Sequence, residues 1–252
     1  MSAHEKLTLF FPMWNEEEMI ERTVGAAKEI GEELILAGRI ADYEVLLIDD
    51  ASTDATGEIA DRLAKDDEHL RVVHHVENQK LGGSIRTGLA EATGDLVLYT
   101  DADMPFDLTQ LHKALRLAEI YDADIVSAYR HDRTGEGARR AVYSYVYNTL
   151  AKVLLRLRMR DVNFAFKLIR RRVLDHLELR SGGSFIDVEL LAKSQRMGFH
   201  IIQFGVDYFP RARGTSTLSS PKVILDILRE FAALYADIRR TERVPGLTSR
   251  RG

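Results

Sequence analysis

The sequence predicts an α/β domain with a mostly parallel central sheet, and three observations carry that prediction. Short apolar runs alternate with amphipathic segments through the first half of the 252-residue chain. Each run stops at a cluster of turn-forming or acidic residues, as strands do. A hydrophobic content of 45% at this length is enough for one large domain or two small ones.

The elements follow in order. Leu7–Met13, Tyr43–Ile48, Arg71–His75, Leu96–Thr100 and Ile125–Ala128 read as buried strands. Helical patterns lie between them at about 16–38, 54–66, 84–92 and 108–121, the second with Asp54 placed to cap it. Beyond these, 138–160 places Val142, Val146, Leu150, Val153 and Leu157 on one side of a basic amphipathic helix. Phe164–Ile169 and His200–Phe209 read as strands, with helices near 173–178, 187–197 and 222–240. Residues 1–217 are expected to form the main domain. Residues 218–252 would add an amphipathic helix and a basic tail, frayed from Arg239 onward.

The net charge of −4 conceals a division. Residues 1–127 hold 11 bases and 27 acids, whereas residues 128–252 hold 24 bases, 20 of them arginine, and 12 acids. Arginine-rich surplus in one half points to a phosphorylated ligand or an anionic surface. The absence of cysteine rules out a disulfide framework, a zinc–thiolate site and a thiol nucleophile, and favours a reducing compartment. The start, Met1 to Lys6, is polar and does not read as a signal peptide. The longest uncharged stretches, such as Ala141–Ala151, fall short of the ~20 apolar residues of a spanning helix. A cytoplasmic protein, peripheral at a membrane face, is the expectation.

In a parallel sheet, ligands bind beyond the carboxyl ends of the strands. Here those ends carry Pro12, Asn15 and Glu16; Asp49, Asp50, Ser52 and Asp54; and Asp101 and Asp103, with Gly82-Gly83 and Arg86 after the third strand. Carboxylates gathered along one edge repel each other unless a cation sits among them, and a divalent ion with oxygen ligands meets that need. The ordinary alternative is that Asp and Asn at strand ends serve as turn formers and caps. In Asp101-Ala-Asp103 an extended chain would turn both carboxylates to one side. The eight histidines show no metal-ligand spacing, and His74-His75 reads as structural.

Four motifs together resemble the family-2 inverting glycosyltransferases: Phe11-Pro12-Met-Trp-Asn15-Glu16, Asp49-Asp50-Ala-Ser52-Thr-Asp54, Asn78-Gln-Lys80-Leu81-Gly82-Gly83 and Thr100-Asp101-Ala-Asp103. Arg130, Arg140 with Ser144, and Arg211-Ala-Arg213-Gly214-Thr-Ser216 make the chain similar to the dolichol- and polyprenol-phosphate mannose or glucose synthases. The resemblance runs from residue 7 to about 217 and implies a glycosyltransferase A fold, Rossmann-like, with helices flanking the sheet. It assigns Pro12, Asn15, Glu16, Asp50, Ser52, Gly82 and Arg86 to the nucleotide of a GDP- or UDP-sugar. Asp103, with Asp101, would hold Mg²⁺ or Mn²⁺ at the diphosphate. Arg130, Arg140, Ser144, Arg211, Arg213 and Ser216 would bind phosphates, including that of a polyprenyl phosphate acceptor. The pattern is not complete. Pro105 stands where the mannose synthases carry a glutamine, Ala165 replaces a glycine, and Thr217 replaces a lysine.

The acceptor separates the hypotheses. A lipid monophosphate is already ionised and needs no base, while a sugar hydroxyl does. On the hydroxyl reading, Asp187 or Glu189, after a flexible Ser181-Gly-Gly-Ser184 stretch, would be the base, against an ordinary role as helix N-terminal charge. A non-catalytic membrane or nucleic-acid adaptor would use the basic half but leave the acidic strand ends unexplained, so nucleic acid is not the expected partner. The sequence sets no oligomeric state.

Overall fold

The computed structural model describes residues 5–104, 106–131, 149, 153–207 and 221–247, with the backbone alone for 221–228. In chain order, the elements are β1 (Lys6–Met13), α1 (Ile20–Leu36), β2 (Asp42–Asp49), α2 (Thr56–Ala64), β3 (Leu70–His74), α3 (Lys80–Glu91) and β4 (Leu96–Thr100). There follow α4 (Gln110–Ile120), β5 (Ile125–Arg130), β6 (Phe166–Arg170), α5 (Arg171–Leu174), α6 (Ile186–Met197), β7 (Ile201–Val206) and α7 (Pro221–Arg240).

The seven strands form one sheet in the order β3-β2-β1-β4-β6-β5-β7, parallel except for β6, which runs against both β4 and β5. Strand order reverses direction between β1 and β4, the switch point at which such sheets open a crevice. Alternation with period two explains the two cores. Leu7, Leu9, Phe11 and Met13 of β1 face α1, α2 and α4, while Phe10 faces the opposite side with Leu46, Ile48 and Tyr99. That second core is covered by α3, α6 and α7. Ile238 of α7 is fully buried.

Several sequence expectations are corrected. Of the helix at 138–160, 132–148 and 150–152 lie outside the described residues, and the described helical turn ends at Leu155. From 155 to 160 burial alternates: Leu155, Leu157 and Met159 are inside, Arg156, Arg158 and Arg160 outside. This period-two pattern belongs to extended chain, and Val153–Leu157 satisfied a helical spacing by coincidence. The helix near 173–178 is the short α5 instead. Asp54 is not the cap residue of α2, a place held by Ala55, but its carboxylate does accept the Thr56 N–H at 3.0 Å.

The tail is docked rather than frayed as far as residue 247. Val244 N–H donates to Met197 O at 3.0 Å, and Val244 and Leu247 pack on the second core. Ser181-Gly-Gly-Ser184 is likewise clamped rather than flexible. Arg86 of α3 donates to Arg180 O and Ser181 O. Glu189 of α6 accepts the Arg180 and Ser181 N–H groups at 3.0 and 2.7 Å. Glu230 of α7 accepts Ser181 Oγ–H at 3.2 Å and the Gly182 N–H at 3.1 Å.

Candidate active site

The site grows from the ends of β1, β2 and β4. Register pairs Phe10 with Tyr99 and Met13 with Asp49, and two residues beyond the first pair stand Pro12 and Asp101. The parallel strands thus deliver the acidic segments to the two sides of the switch point.

The loops after β1 and β2 are fastened to each other. Asn15 N–H donates to Ser52 Oγ at 3.0 Å, and Asn15 Oδ1 accepts the Thr53 N–H at 2.8 Å. Glu16 N–H reaches Thr56 Oγ1 at 2.8 Å, and Glu17 Oε2 takes the Ala55 N–H at 2.9 Å. Burial pushes the Asp54 carboxyl up, but bonds from the Thr56 hydroxyl and N–H and from Glu17 N–H outweigh it and hold the group below the usual range. Asn15 (φ 56°), Ala51 (φ 55°) and Met104 (φ 42°) all lie in the left-handed region at strand ends. Each such conformation costs a non-glycine residue about 1–2 kcal/mol and persists where its surroundings over-determine it.

Asp50, 3% exposed, is bonded through its N–H, its carbonyl and one carboxylate oxygen. Its N–H donates to Met13 O at 2.9 Å and its carbonyl accepts Asn78 Nδ2–H at 3.1 Å. Its Oδ1 accepts the Gln79 N–H at 2.7 Å and lies 2.6 Å from His75 Nδ1. Asp49 accepts the Ser52 N–H at 3.1 Å and bonds His74 Nδ1 at 2.8 Å, while His74 Nε2 meets Asp61 at 3.0 Å. Desolvation lowers the His74 pKa, but its hydrogen bonds to these two carboxylates prevail and raise it.

Past β4, Asp101 and Asp103 are half-buried on a turn, so the strand does not extend through them as the period-two argument assumed. Ala102 between them is buried, and its carbonyl accepts Thr23 Oγ1–H at 2.6 Å, which ties the turn to α1. The Tyr99 phenol is pushed well above its ordinary value by complete burial, then by the fields of Asp187, Asp101 and Asp103. Among the described residues no three His, Cys, Asp or Glu side chains group to hold a metal. Asp101 and Asp103 are two hard carboxylate donors on one turn, a donor type that suits Mg²⁺ or Mn²⁺.

Gly82 and Arg86, assigned to the nucleotide by the resemblance, both meet the 180–182 loop. A Cβ on Gly82 would collide with the backbone at Ser181 and Gly182, so this glycine lets α3 approach that loop. Arg86, one turn on, bonds the same loop. Arg130, at the end of β5, is nearly buried and donates from Nε to Asp161 Oδ2 at 2.8 Å, with its guanidinium over the Phe164 ring. Arg140, Ser144, Arg211, Arg213 and Ser216 lie outside the described residues, as does Pro105.

Lys167 was missed by the sequence argument. It is fully buried in β6, 2.5 Å from Asp187 Oδ1 and 5.4 Å from the Tyr99 ring centre, and it donates to Phe164 O at 2.9 Å. Its register partner is Tyr99. Burial raises the Asp187 pKa despite the Lys167 charge beside it. Glu189, fully buried, accepts two backbone N–H groups and pairs with Lys193 at 2.8 Å. No local pattern signals Lys167, because a lysine inside an apolar run reads as an exposed position.

A parallel sheet with one reversed strand, an acidic switch point and carboxylates after β4 defines the glycosyltransferase A class of fold. The particular family follows from the chain itself: residues 8–178 match the model of Glycosyl transferase family 2, and the chain belongs to that family. It is 32% identical over 246 residues to the glycosyltransferase AglD of Haloferax volcanii, covering 95% of this chain and 37% of that protein. It is 26% identical over 227 residues to an undecaprenyl-phosphate mannosyltransferase of Micrococcus luteus, covering 85% of this chain and 88% of that one. Among solved structures, mannosyl-3-phosphoglycerate synthase from Rubrobacter xylanophilus superposes with a TM-score of 0.71 at 18% identity, covering 97% of this chain and 79% of that one. Glucosyl-3-phosphoglycerate synthase from Mycobacterium tuberculosis, in complex with Mn²⁺ and UDP-glucose, gives 0.63 at 22% identity, covering 94% and 80%. These two likenesses show the fold.

Proposed function

We propose that the chain transfers a hexose, mannose foremost, from a GDP- or UDP-sugar to a polyprenyl phosphate, with inversion, at a membrane surface. One observation carries the acceptor. The two carboxylates named as candidate bases each face a lysine, Asp187 beside Lys167 and Glu189 beside Lys193 with two backbone N–H groups on it. An alcohol needs a base to become a nucleophile, whereas a phosphate monoester is already anionic. The kinship with the undecaprenyl-phosphate mannosyltransferase supports the same acceptor.

On this reading Pro12, Asn15, Glu16, Asp50 and Ser52 receive the nucleoside. Carboxylates suit base N–H groups and ribose hydroxyls, which are donors. Asp101 and Asp103 would hold Mg²⁺ or Mn²⁺, which supplies charge neutralisation for the departing diphosphate. An oxygen of the acceptor phosphate attacks the anomeric carbon on the face opposite the diphosphate. A new C–O bond forms as the old one breaks, and the nucleoside diphosphate leaves with the electron pair. Arg130, Arg140, Ser144, Arg211, Arg213 and Ser216 are assigned to phosphate by their motifs, Arg130 while also paired with Asp161. Such cations gather two anionic substrates and stabilise the charge that shifts between them.

Membrane contact has support near residue 153. Val153 and Leu154 are exposed beside the exposed Arg156 and Arg158, a mixture suited to an anionic lipid interface. No helix among the described residues is long and apolar enough to cross a membrane.

A panel of labelled GDP- and UDP-hexoses tests the proposal, each offered a short-chain polyprenyl phosphate or phosphoglyceric acid, with Mn²⁺ or EDTA. Label passing into the organic phase only with polyprenyl phosphate and metal is the expected outcome. Transfer to phosphoglyceric acid alone, or full activity in EDTA, overturns the acceptor or the metal role respectively.

A further inference from the structure

Asp50, just past β2, is the acidic residue assigned to the nucleoside, and both bonds described for its carboxylate fall on one oxygen. Both hydrogen bonds described for it fall on Oδ1, from Gln79 N–H at 2.7 Å and with His75 Nδ1 at 2.6 Å. The other oxygen, Oδ2, carries neither. Because a carboxylate only accepts, Nδ1 must bear the proton in that contact. On the far side of the ring, His75 Nε2 lies 2.9 Å from Thr87 Oγ1. In the neutral imidazole Nε2 is then the acceptor and the threonine hydroxyl the donor. The ring is thus held at both nitrogens, and the side chains of His75 and Asp50 are each only 5% exposed.

The backbone around Asp50 needs this support. The next residue, Ala51, sits at φ 55°, in the left-handed region that a residue with a Cβ avoids. The turn is fixed on both sides of that residue, by Asn78 Nδ2–H on Asp50 O and by Asp49 Oδ1 on Ser52 N–H. Those bonds set the main chain but leave the Asp50 side chain free to rotate. His75 and Gln79 close that remaining freedom.

We propose that His75, braced by Thr87 of α3, is a positioning residue for nucleotide recognition: it fixes the Asp50 carboxylate so that Oδ2 faces the incoming nucleoside. The inference rests on the nucleotide-sugar reading above. It also gives α3 a double role. Thr87 braces the nucleoside carboxylate, while Gly82 and Arg86 of the same helix hold the 180–182 loop.

The test measures binding of GDP, UDP and inorganic pyrophosphate, each with Mn²⁺, by titration calorimetry on the whole chain. The wild type is compared with His75→Phe, His75→Asn and Thr87→Val. His75→Phe keeps a planar ring but offers no donor, so the preferred nucleoside diphosphate should bind about tenfold more weakly, a loss matching one hydrogen bond to a charged group. Pyrophosphate affinity should not change, because it contacts no nucleoside residue. His75→Asn, whose amide can donate where Nδ1 did, should recover most of the loss. Thr87→Val should weaken the nucleotide by about threefold, and this variant carries the test if His75→Phe does not fold. In turnover, the loss should appear in the donor KM with kcat within twofold of wild type. Equal weakening of pyrophosphate and nucleotide, or unchanged nucleotide affinity in folded Thr87→Val, overturns the assignment. Wild-type protein that binds pyrophosphate but neither GDP nor UDP overturns the nucleotide-sugar reading itself.

Discussion

The carboxylates after β2 and those packed around β6 are handled in opposite ways. Asp49 and Asp50 are held by backbone N–H groups and by imidazole nitrogens, with no lysine or arginine paired to either among the described residues. Asp187, Glu189 and Asp161 are each matched by a cation, Lys167, Lys193 and Arg130. Backbone N–H donors orient a carboxylate without cancelling its charge, as Gln79 N–H does for Asp50. The second region is largely neutralised from within. In the proposed function the first group meets a ligand, and the second pairs with cations within the β6–α6 frame.

The same contrast revises the meaning of the basic half. Many of its arginines are internal ties rather than spare positive charge. Arg170 bonds the carbonyls of Ala123 and Ala118, Arg171 those of Ala92 and Gly94, and Arg196 that of Arg239. Arg172 pairs with Asp124, and Arg180 with Glu178 and Asp237. A net charge counts these groups as available, and the fold has already used them.

Breaking each side of the comparison has a different signature. The largest effect should come from Asp103→Ala, which removes a diphosphate-side carboxylate: transfer should fall by about a thousandfold or more while thermal unfolding is unchanged. Activity within tenfold of wild type would remove Asp103 from the site. Lys167→Met should do the reverse, leaving Asp187 buried without its cation and lowering stability by about 3–5 kcal/mol. Urea unfolding reads this out, and Lys167→Met with Asp187→Leu should regain most of the loss. A single variant as stable as wild type would show that the pair does not hold the frame.

Removal of residues after Arg239 sharpens the frame side, since Val244 and Leu247 pack on the core. The truncated chain should lose about 1–3 kcal/mol through exposed apolar surface. An unchanged denaturation midpoint would mean that the docked tail contributes nothing.

The smallest effects are pH-dependent and separate two residues of the first region. Asp54 has its pKa lowered on folding, so its contribution is present above about pH 3.8 and is lost as pH falls through the folded value. His74 has its pKa raised, so its contribution is complete below about pH 6.5 and is lost as pH rises through the folded value. Asp54→Asn should flatten only the acid limb of a stability–pH curve, and His74→Asn only the limb above neutrality. The same limb flattening in both variants would contradict the two opposite shifts.

The parts that the sequence made legible are those encoded over short spans. The strands are runs of alternating or continuous apolar residues, so β4 falls on Leu96–Thr100 as expected and β1 to β3 shift by one residue at their ends. Parallel topology then placed Asp50, Asp101 and Asp103 along one edge. Contacts between distant residues were not legible. Lys167 and Asp187 lie on different elements, and Arg86 reaches a carbonyl 95 residues away. The resemblance assigned Gly82 and Arg86 to the nucleotide, and their contacts with the 180–182 loop were not legible because a glycine that admits a backbone and one that admits a ligand have the same sequence. Leu157 fits both the helical spacing from Val153 and the period-two alternation with Leu155 and Met159, and only the packing shows which applies.

The account's central claim is that this site takes an acceptor that arrives already ionised. Transfer of labelled hexose to a short-chain polyprenyl phosphate should therefore be compared with transfer to the matching polyprenol, at equal concentration and saturating donor. The account predicts label in the lipid phase with the phosphate and none above background with the alcohol. Comparable transfer to the polyprenol would show that a base operates in the site and would contradict it.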